Sequence, residues 1–149
     1  MGLCLSCIYT KQILLYSELE KSNKKTEYFS FNKYECLAKV VHVYDGDTVH
    51  LVLPLPETNK LVKIKTRLYG IDTPEMRIHE QKENALKAKE RLIEMLQKTN
   101  YMVNVKCGEF DKYGRVLVTL YSTEFSKSFN DILIEEGLGY PYFGKTKIK

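Results

Sequence analysis

The sequence predicts a mainly β fold in which five short strands close into a small barrel that carries two helices. Valine-rich and isoleucine-rich runs with the two-residue alternation of strands recur within residues 36–121. One stretch, over 80–98, instead repeats its apolar residues at helical spacing. Glycine and proline separate several of these runs. An open α+β sheet is an alternative that this pattern also allows.

The first three predicted strands follow one another through short connections. They span residues 36–44, 48–53 and 61–68. The third strand alternates most clearly, because Lys63, Lys65 and Arg67 fall between apolar residues and threonine. These three basic side chains should therefore share the strand face opposite the core.

The later elements are two strands with one helix before them and one helix after them. Apolar residues recurring every three or four positions predict a helix over about 80–98. Strands at 102–107 and 116–121 follow, and a second helix over 128–136 should end at Gly137. Three strands, a helix, two strands and a helix fit the five-stranded Greek-key barrel called the OB fold.

Length and composition suit one soluble domain with a short appendage. The chain has 149 residues, 23 of them Lys or Arg and 19 Asp or Glu, giving a net charge of +4. That mild basicity permits a polyanionic partner without requiring one. No apolar run is long enough for a transmembrane helix. The four cysteines form neither a disulfide framework nor a zinc motif, which favours a reducing, intracellular compartment.

Residues 1–35 are predicted to be an N-terminal extension, with a short helix around 13–19 and a linker at 21–25. The start lacks the features of a signal peptide. It matches a myristoylation pattern at Gly2, and Cys4 or Cys7 would offer the second lipid that stable membrane anchoring needs. An unmodified N-terminus is the alternative. Residues 144–149 form a basic tail.

The first candidate motif is Asp45-Gly46-Asp47-Thr48, between the first two predicted strands. Asp-Gly is common in hairpin turns, so a plain turn is one interpretation. The other is a site for a hard cation, which prefers oxygen ligands. An EF-hand loop is excluded because the oxygen-bearing residues stop at Thr48.

The second motif begins at Arg67, near the end of the third strand, and continues into Asp72-Thr73-Pro74-Glu75. One interpretation is a helix start, with Asp72 or Thr73 as N-cap and Pro74 in the first turn. Two acids and an arginine beside a strand end also suit a metal ion together with a phosphate.

The third motif, Asp111-Lys112-Tyr113-Gly114-Arg115, lies in the loop between the last two strands. Most such loops are solvated turns. This one adds an arginine, a lysine and a tyrosine at a hairpin tip.

Together, and in this order, the three motifs resemble the staphylococcal-nuclease-like (thermonuclease) family over residues 36–143, and 130–138 resembles the second helix of that family. The resemblance implies an OB-fold barrel and a Ca²⁺-dependent phosphodiesterase. It implies hydrolysis of single-stranded DNA and RNA, and less readily of duplex DNA, by in-line attack of water that leaves 3′-phosphate ends. We expect a monomer.

The resemblance also implies roles for the metal site. Asp47 and Asp72 would bind Ca²⁺ through their carboxylates and Thr73 through its backbone carbonyl, with Asp45 in support. Glu75 would deprotonate or position the attacking water; the sequence leaves both roles open.

The remaining implied roles concern the substrate. Arg67 and Arg115 would clamp the phosphate and stabilise transition-state charge. Lys112 and Tyr113 would bind a terminal phosphate. The aromatic residues after the second helix are candidates for base stacking; they are Tyr140, Tyr142 and Phe143.

Two alternatives to an active enzyme remain. One is a catalytically weak or inactive nucleic-acid-binding module with the same barrel. The other is a lipid-anchored scaffold with a vestigial nuclease domain. The acids and arginines implied for catalysis are all present, which favours the nuclease.

Overall fold

A computed structural model describes residues 5–58, 60–122 and 126–144. A 3₁₀ turn at His79–Gln81 precedes the second of its three α-helices. In chain order the elements are α1 (Leu5–Lys21), β1 (Glu35–Val43), β2 (Thr48–Pro54), β3 (Leu61–Leu68), β4 (Gly70–Asp72), α2 (Lys82–Lys98), β5 (Met102–Phe110), β6 (Val116–Tyr121), α3 (Phe129–Glu135) and β7 (Tyr140–Tyr142).

Five strands form a closed barrel in the order β1-β2-β3-β6-β5, with β5 also paired to β1. The pairs β1–β2, β2–β3 and β5–β6 are antiparallel, whereas β3 and β6 are parallel. The predicted barrel is confirmed, and the open sheet is excluded. A small antiparallel sheet of β4 and β7 was not predicted, because three-residue strands are too short to show an alternation.

The barrel interior is filled by the inward-facing residues of its five strands. Helix α2 contributes a stripe of buried residues at three- and four-residue spacing. The core also includes Phe31, whose side chain is only 3% exposed and packs near Tyr34 and Phe110. Phe31 belongs to the stretch that the sequence assigned to the extension, so the core uses at least one residue from it.

Helix α1 is longer than the predicted helix around 13–19, and its apolar side chains from Ile13 onward are exposed to solvent. Ile13, Leu14 and Leu15 are each more than half exposed. No helix in the described ranges has the length and hydropathy to cross a bilayer. Gly2, Cys4 and the tail beyond residue 144 lie outside the described residues, as does the Cys7 side chain, so acylation stays a prediction.

Helix α3 is fixed to the barrel by one buried amide. Asn130 Oδ1 accepts a hydrogen bond from Leu120 N at 3.1 Å. Its Nδ2 donates to the carbonyls of Tyr69 at 2.9 Å and Val118 at 3.1 Å. The side chain thus satisfies three backbone groups of β6 and of the β3–β4 connection. The sequence pattern gave no signal for this role.

Candidate active site

The centre of the site is a single guanidinium that bridges two carboxylates. Arg67 Nη1 lies 2.9 Å from Asp47 Oδ1, and Arg67 Nη2 lies 2.7 Å from Asp72 Oδ1. Only 16% of the arginine side chain is exposed. Because both carboxylates contact the same group, the first and second sequence motifs meet at one point.

Asp47 is held by the turn around it. Asp45 Oδ1 accepts a hydrogen bond from Asp47 N at 3.1 Å, which closes the turn. Thr48 Oγ1 donates to Asp47 Oδ1 at 3.0 Å, and Thr73 N donates to Asp47 Oδ2 at 3.0 Å. Both carboxylate oxygens therefore have fixed partners.

Burial is the main electrostatic influence on Asp47, which is 3% exposed. Burial raises its pKa to about 6; Asp45 adds to this rise, and the positive charge of Arg67 opposes it. Asp72 brings a second buried carboxylate to the same guanidinium. The site thus holds more negative charge than Arg67 alone balances, which favours a bound cation.

Gly46 is required here by space. A Cβ at this position would come 2.8 Å from the Ala88 Cβ and 2.9 Å from the Thr73 Cγ2. Its φ angle is not in the left-handed region. The Asp-Gly-Asp turn therefore packs directly against α2 and the Thr73 segment, which a free hairpin turn would not do.

Asp72 ends β4 and lies opposite Tyr140 of β7. The Tyr140 hydroxyl donates to Asp72 Oδ2 at 2.7 Å. Tyr140 is a candidate for base stacking, and in the structure it contacts a candidate metal ligand. The sequence did not predict this contact. The interpretation of Asp72 or Thr73 as a helix N-cap is wrong, because α2 begins only at Lys82.

Glu75 lies in the irregular segment between β4 and the 3₁₀ turn. Its backbone N–H donates to Gln81 Oε1 at 3.0 Å, which ties this segment to the start of α2. Sequence reasoning missed Gln81, because no local pattern marks a side chain that holds a segment six residues away.

The third motif forms the tip of the β5–β6 hairpin. Arg115 Nε and Nη2 each lie 2.7 Å from Asp111 Oδ2. Burial raises the pKa of Asp111, but hydrogen bonds from Arg115 and from the Tyr113 backbone, together with the charge of Arg115, outweigh it and hold that pKa below its usual value. Arg115 Nη1 also lies 3.4 Å from Thr48 Oγ1, beside the turn that holds Asp47.

One cleft of about 520 Å³ is lined by residues of the second and third motifs. The Tyr142 ring lies 6.0 Å from the Arg67 guanidinium, and the Tyr113 ring lies 5.5 Å from that of Arg115. Asp47 and Tyr140 adjoin the cleft through their contacts with Arg67 and Asp72. The predicted site residues that line it are Arg67, Asp72, Glu75, Lys112, Tyr113, Arg115, Tyr142 and Phe143.

Comparison with protein families matches the staphylococcal nuclease homologue family to residues 65–148, more than half of the chain. The chain belongs to this family. The segment shared with the staphylococcal nuclease homologues contains Arg67, Asp72, Glu75 and Arg115, and the Asp47 turn precedes it. Comparison with curated proteins found no match.

The donor set fits a hard cation of the kind on which staphylococcal nuclease homologues generally depend. Asp47 and Asp72 offer carboxylates, and Thr73, whose backbone N–H contacts Asp47, would add its backbone carbonyl. Within the described ranges no three His, Cys, Asp or Glu side chains converge as a metal site. An all-oxygen set with so few protein ligands leaves room in the six-to-eight-oxygen shell of Ca²⁺ for water and substrate.

Proposed function

We propose that the protein is a Ca²⁺-dependent nuclease that hydrolyses single-stranded DNA and RNA, and less readily duplex DNA, leaving 3′-phosphate ends. One observation carries the proposal: Arg67, Glu75 and Arg115 line the same cleft as Asp72, while Arg67 joins Asp72 to Asp47. Acids, arginines and a candidate cation site therefore surround one volume that a phosphodiester can enter.

Asp47, Asp72 and the Thr73 carbonyl would hold Ca²⁺. When bound, the ion would supply positive charge that polarises a phosphodiester and orients it. Asp45 supports this set indirectly, because its side chain closes the turn that carries Asp47.

The two arginines would stabilise the charge that develops on the phosphoryl oxygens as the attacking oxygen approaches. A planar guanidinium offers paired donors that match two phosphate oxygens. Arg115 is held by Asp111, and Arg67 lies between the two buried acids, so both reach the cleft from fixed positions. Glu75 would accept a hydrogen bond from the attacking water on the same cleft.

The outer part of the cleft suits a nucleotide. Lys112 and Tyr113 would bind a terminal phosphate, and Lys112 Nζ lies 5.0 Å from the centre of the Tyr113 ring. Tyr142 and Phe143 present aromatic rings for base stacking. Stacking tolerates any base, so we expect little sequence preference.

We expect single-stranded DNA to be cleaved in Ca²⁺ but not in EGTA, and Glu75→Gln to slow cleavage about 100-fold, the scale of general acid–base catalysis. Glu80→Gln, a change of an exposed acid in the 3₁₀ turn, is the matched control and should cleave like the wild type. Cleavage that survives the chelator would contradict the Ca²⁺ assignment. Salt-sensitive binding without cleavage would favour the binding module.

Tyr140→Phe should weaken Ca²⁺ binding about tenfold, because groups that orient metal ligands typically have effects of that size. The change removes only the hydroxyl that contacts Asp72. Calorimetric titration of Ca²⁺ measures the effect without relying on cleavage. Tyr142→Phe, on the same strand, is the control, since its hydroxyl makes no hydrogen bond with the described part of the chain. Equal affinities in the two variants would exclude this role for Tyr140.

A further inference from the structure

The outer surface of β1, β2 and β3 gathers basic and titratable side chains from three strands. The strand register places His42 opposite His50, and His50 opposite Lys65. Two positions after His50 along β2, a single residue lies between Lys39 of β1 and Lys63 of β3. We call these five residues the basic face.

The basic face has little negative charge of its own to balance it. Strands β2 and β3 contain no acidic residue, and the one acid in β1, Glu35, pairs with Lys106 at 3.4 Å. Lys39, Lys63 and Lys65 are exposed and form no ion pair with any residue that the structure describes. Like charges on neighbouring strands repel, and an anionic partner would relieve that repulsion.

The two histidines lie at the middle of this surface, with ring centres 5.0 Å apart. Burial lowers the pKa of His50, and His42, Lys63 and Lys65 lower it further by their charge. The neighbouring side chains thus already disfavour one more positive charge, as expected for a surface of positive potential.

The basic face leads directly to the cleft. Alternate residues of a strand share one face, so Lys63, Lys65 and Arg67 follow each other along β3 at intervals of about 6.6 Å. Arg67 lines the cleft, and the lysines extend the same row away from it. An extended polyanion held on the lysines would therefore continue to the candidate active site.

We propose that the basic face binds the sugar–phosphate backbone of a single nucleic-acid strand beyond the bond that is cut, and so holds long substrates on the enzyme. This proposal rests on the proposed nuclease function and extends it from one phosphodiester to a polymer. Contacts of lysine with phosphate strengthen binding but carry no base information. The surface therefore favours long strands without selecting their sequence.

The test compares two double variants that each remove two positive charges. Lys63→Gln/Lys65→Gln alters the basic face, and Lys87→Gln/Lys98→Gln alters exposed lysines of α2. Fluorescence anisotropy measures binding of a labelled single strand of about 12 nucleotides in EGTA, over a range of KCl concentrations. Thermal unfolding shows that each variant is folded.

We expect the basic-face variant to bind the strand about tenfold more weakly than the α2 variant at about 0.1 M salt. The slope of log affinity against log salt should fall by about 1.4, which is about 0.7 for each lost phosphate contact of a single strand. The ratio of affinities for strands of about 12 and about two nucleotides should fall as well. Equal affinities and slopes in the two variants, or no binding by the wild type, would overturn the proposal.

Two further measurements separate the possible failures. If the wild type cleaves the same strand in Ca²⁺ but the two variants bind it equally, only the basic-face proposal fails. If the wild type neither cleaves nor binds it, the proposed function fails as well. If the basic-face variant loses binding to anionic phospholipid vesicles but keeps strand binding, the surface contacts lipid, and the proposal is overturned.

Discussion

Replacing Arg67 with methionine is expected to slow cleavage about a thousandfold and to lower the stability of the Ca²⁺-free protein by about 3 kcal/mol. The catalytic loss follows from removal of a positive group at the phosphate. The loss of stability has a separate cause, because Asp47 and Asp72 would remain buried with their shared counter-ion gone. Removing one partner of a buried ion pair costs more than the pair itself contributes.

The two effects can be separated with Ca²⁺. Urea unfolding of wild type and Arg67→Met should differ less in saturating Ca²⁺ than in EGTA, because the ion would replace the missing positive charge between the carboxylates. Equal destabilisation in both conditions would contradict the expectation that Ca²⁺ replaces the charge of Arg67 between Asp47 and Asp72. Arg91→Met is the control: Arg91 pairs with Glu136 at the surface, and its loss should cost about 1 kcal/mol or less.

Asn130→Ala should destabilise the protein by about 3 kcal/mol, since it leaves two buried backbone groups and one part-buried backbone group without their side-chain partner. Two of these groups belong to β6 and one to the β3–β4 connection, so the change also loosens the support beneath Asp72. Chemical unfolding measures the loss. Asn104→Ala, at an exposed position of β5, should change stability by less than about 0.5 kcal/mol. A loss at Asn130 no larger than that at Asn104 would show that water replaces the amide.

The sequence predicted the elements whose periodicity is long enough to read. Residues 61–68 alternate over a whole strand, and α2 repeats its apolar stripe over 17 residues, so both appear close to their predicted bounds. The sequence did not predict the small β4–β7 sheet, because each of its strands has three residues and β7 contains Pro141. Phe31 was missed because an isolated aromatic residue outside a periodic run gives no sign of burial.

In the candidate site, too, some features could be predicted from the sequence and others could not. The three motifs could be recognised because their residue types and order are distinctive. The bridge from Arg67 to Asp47 and Asp72 could not be predicted, since it depends on how a strand end, a turn and β4 meet in space. The same holds for Tyr140, which the β4–β7 register places opposite Asp72. Local patterns thus indicated the chemistry, and tertiary structure determined which groups touch.

The parallel pairing of β3 with β6 has a consequence for the chain while it is being synthesised. A nascent chain that has emerged only as far as Phe110 contains the Asp47 turn and Arg67 but neither Arg115 nor Tyr140. It also lacks β6, so the barrel cannot close. Synthesis must therefore reach β7 before all the residues of the candidate site are present.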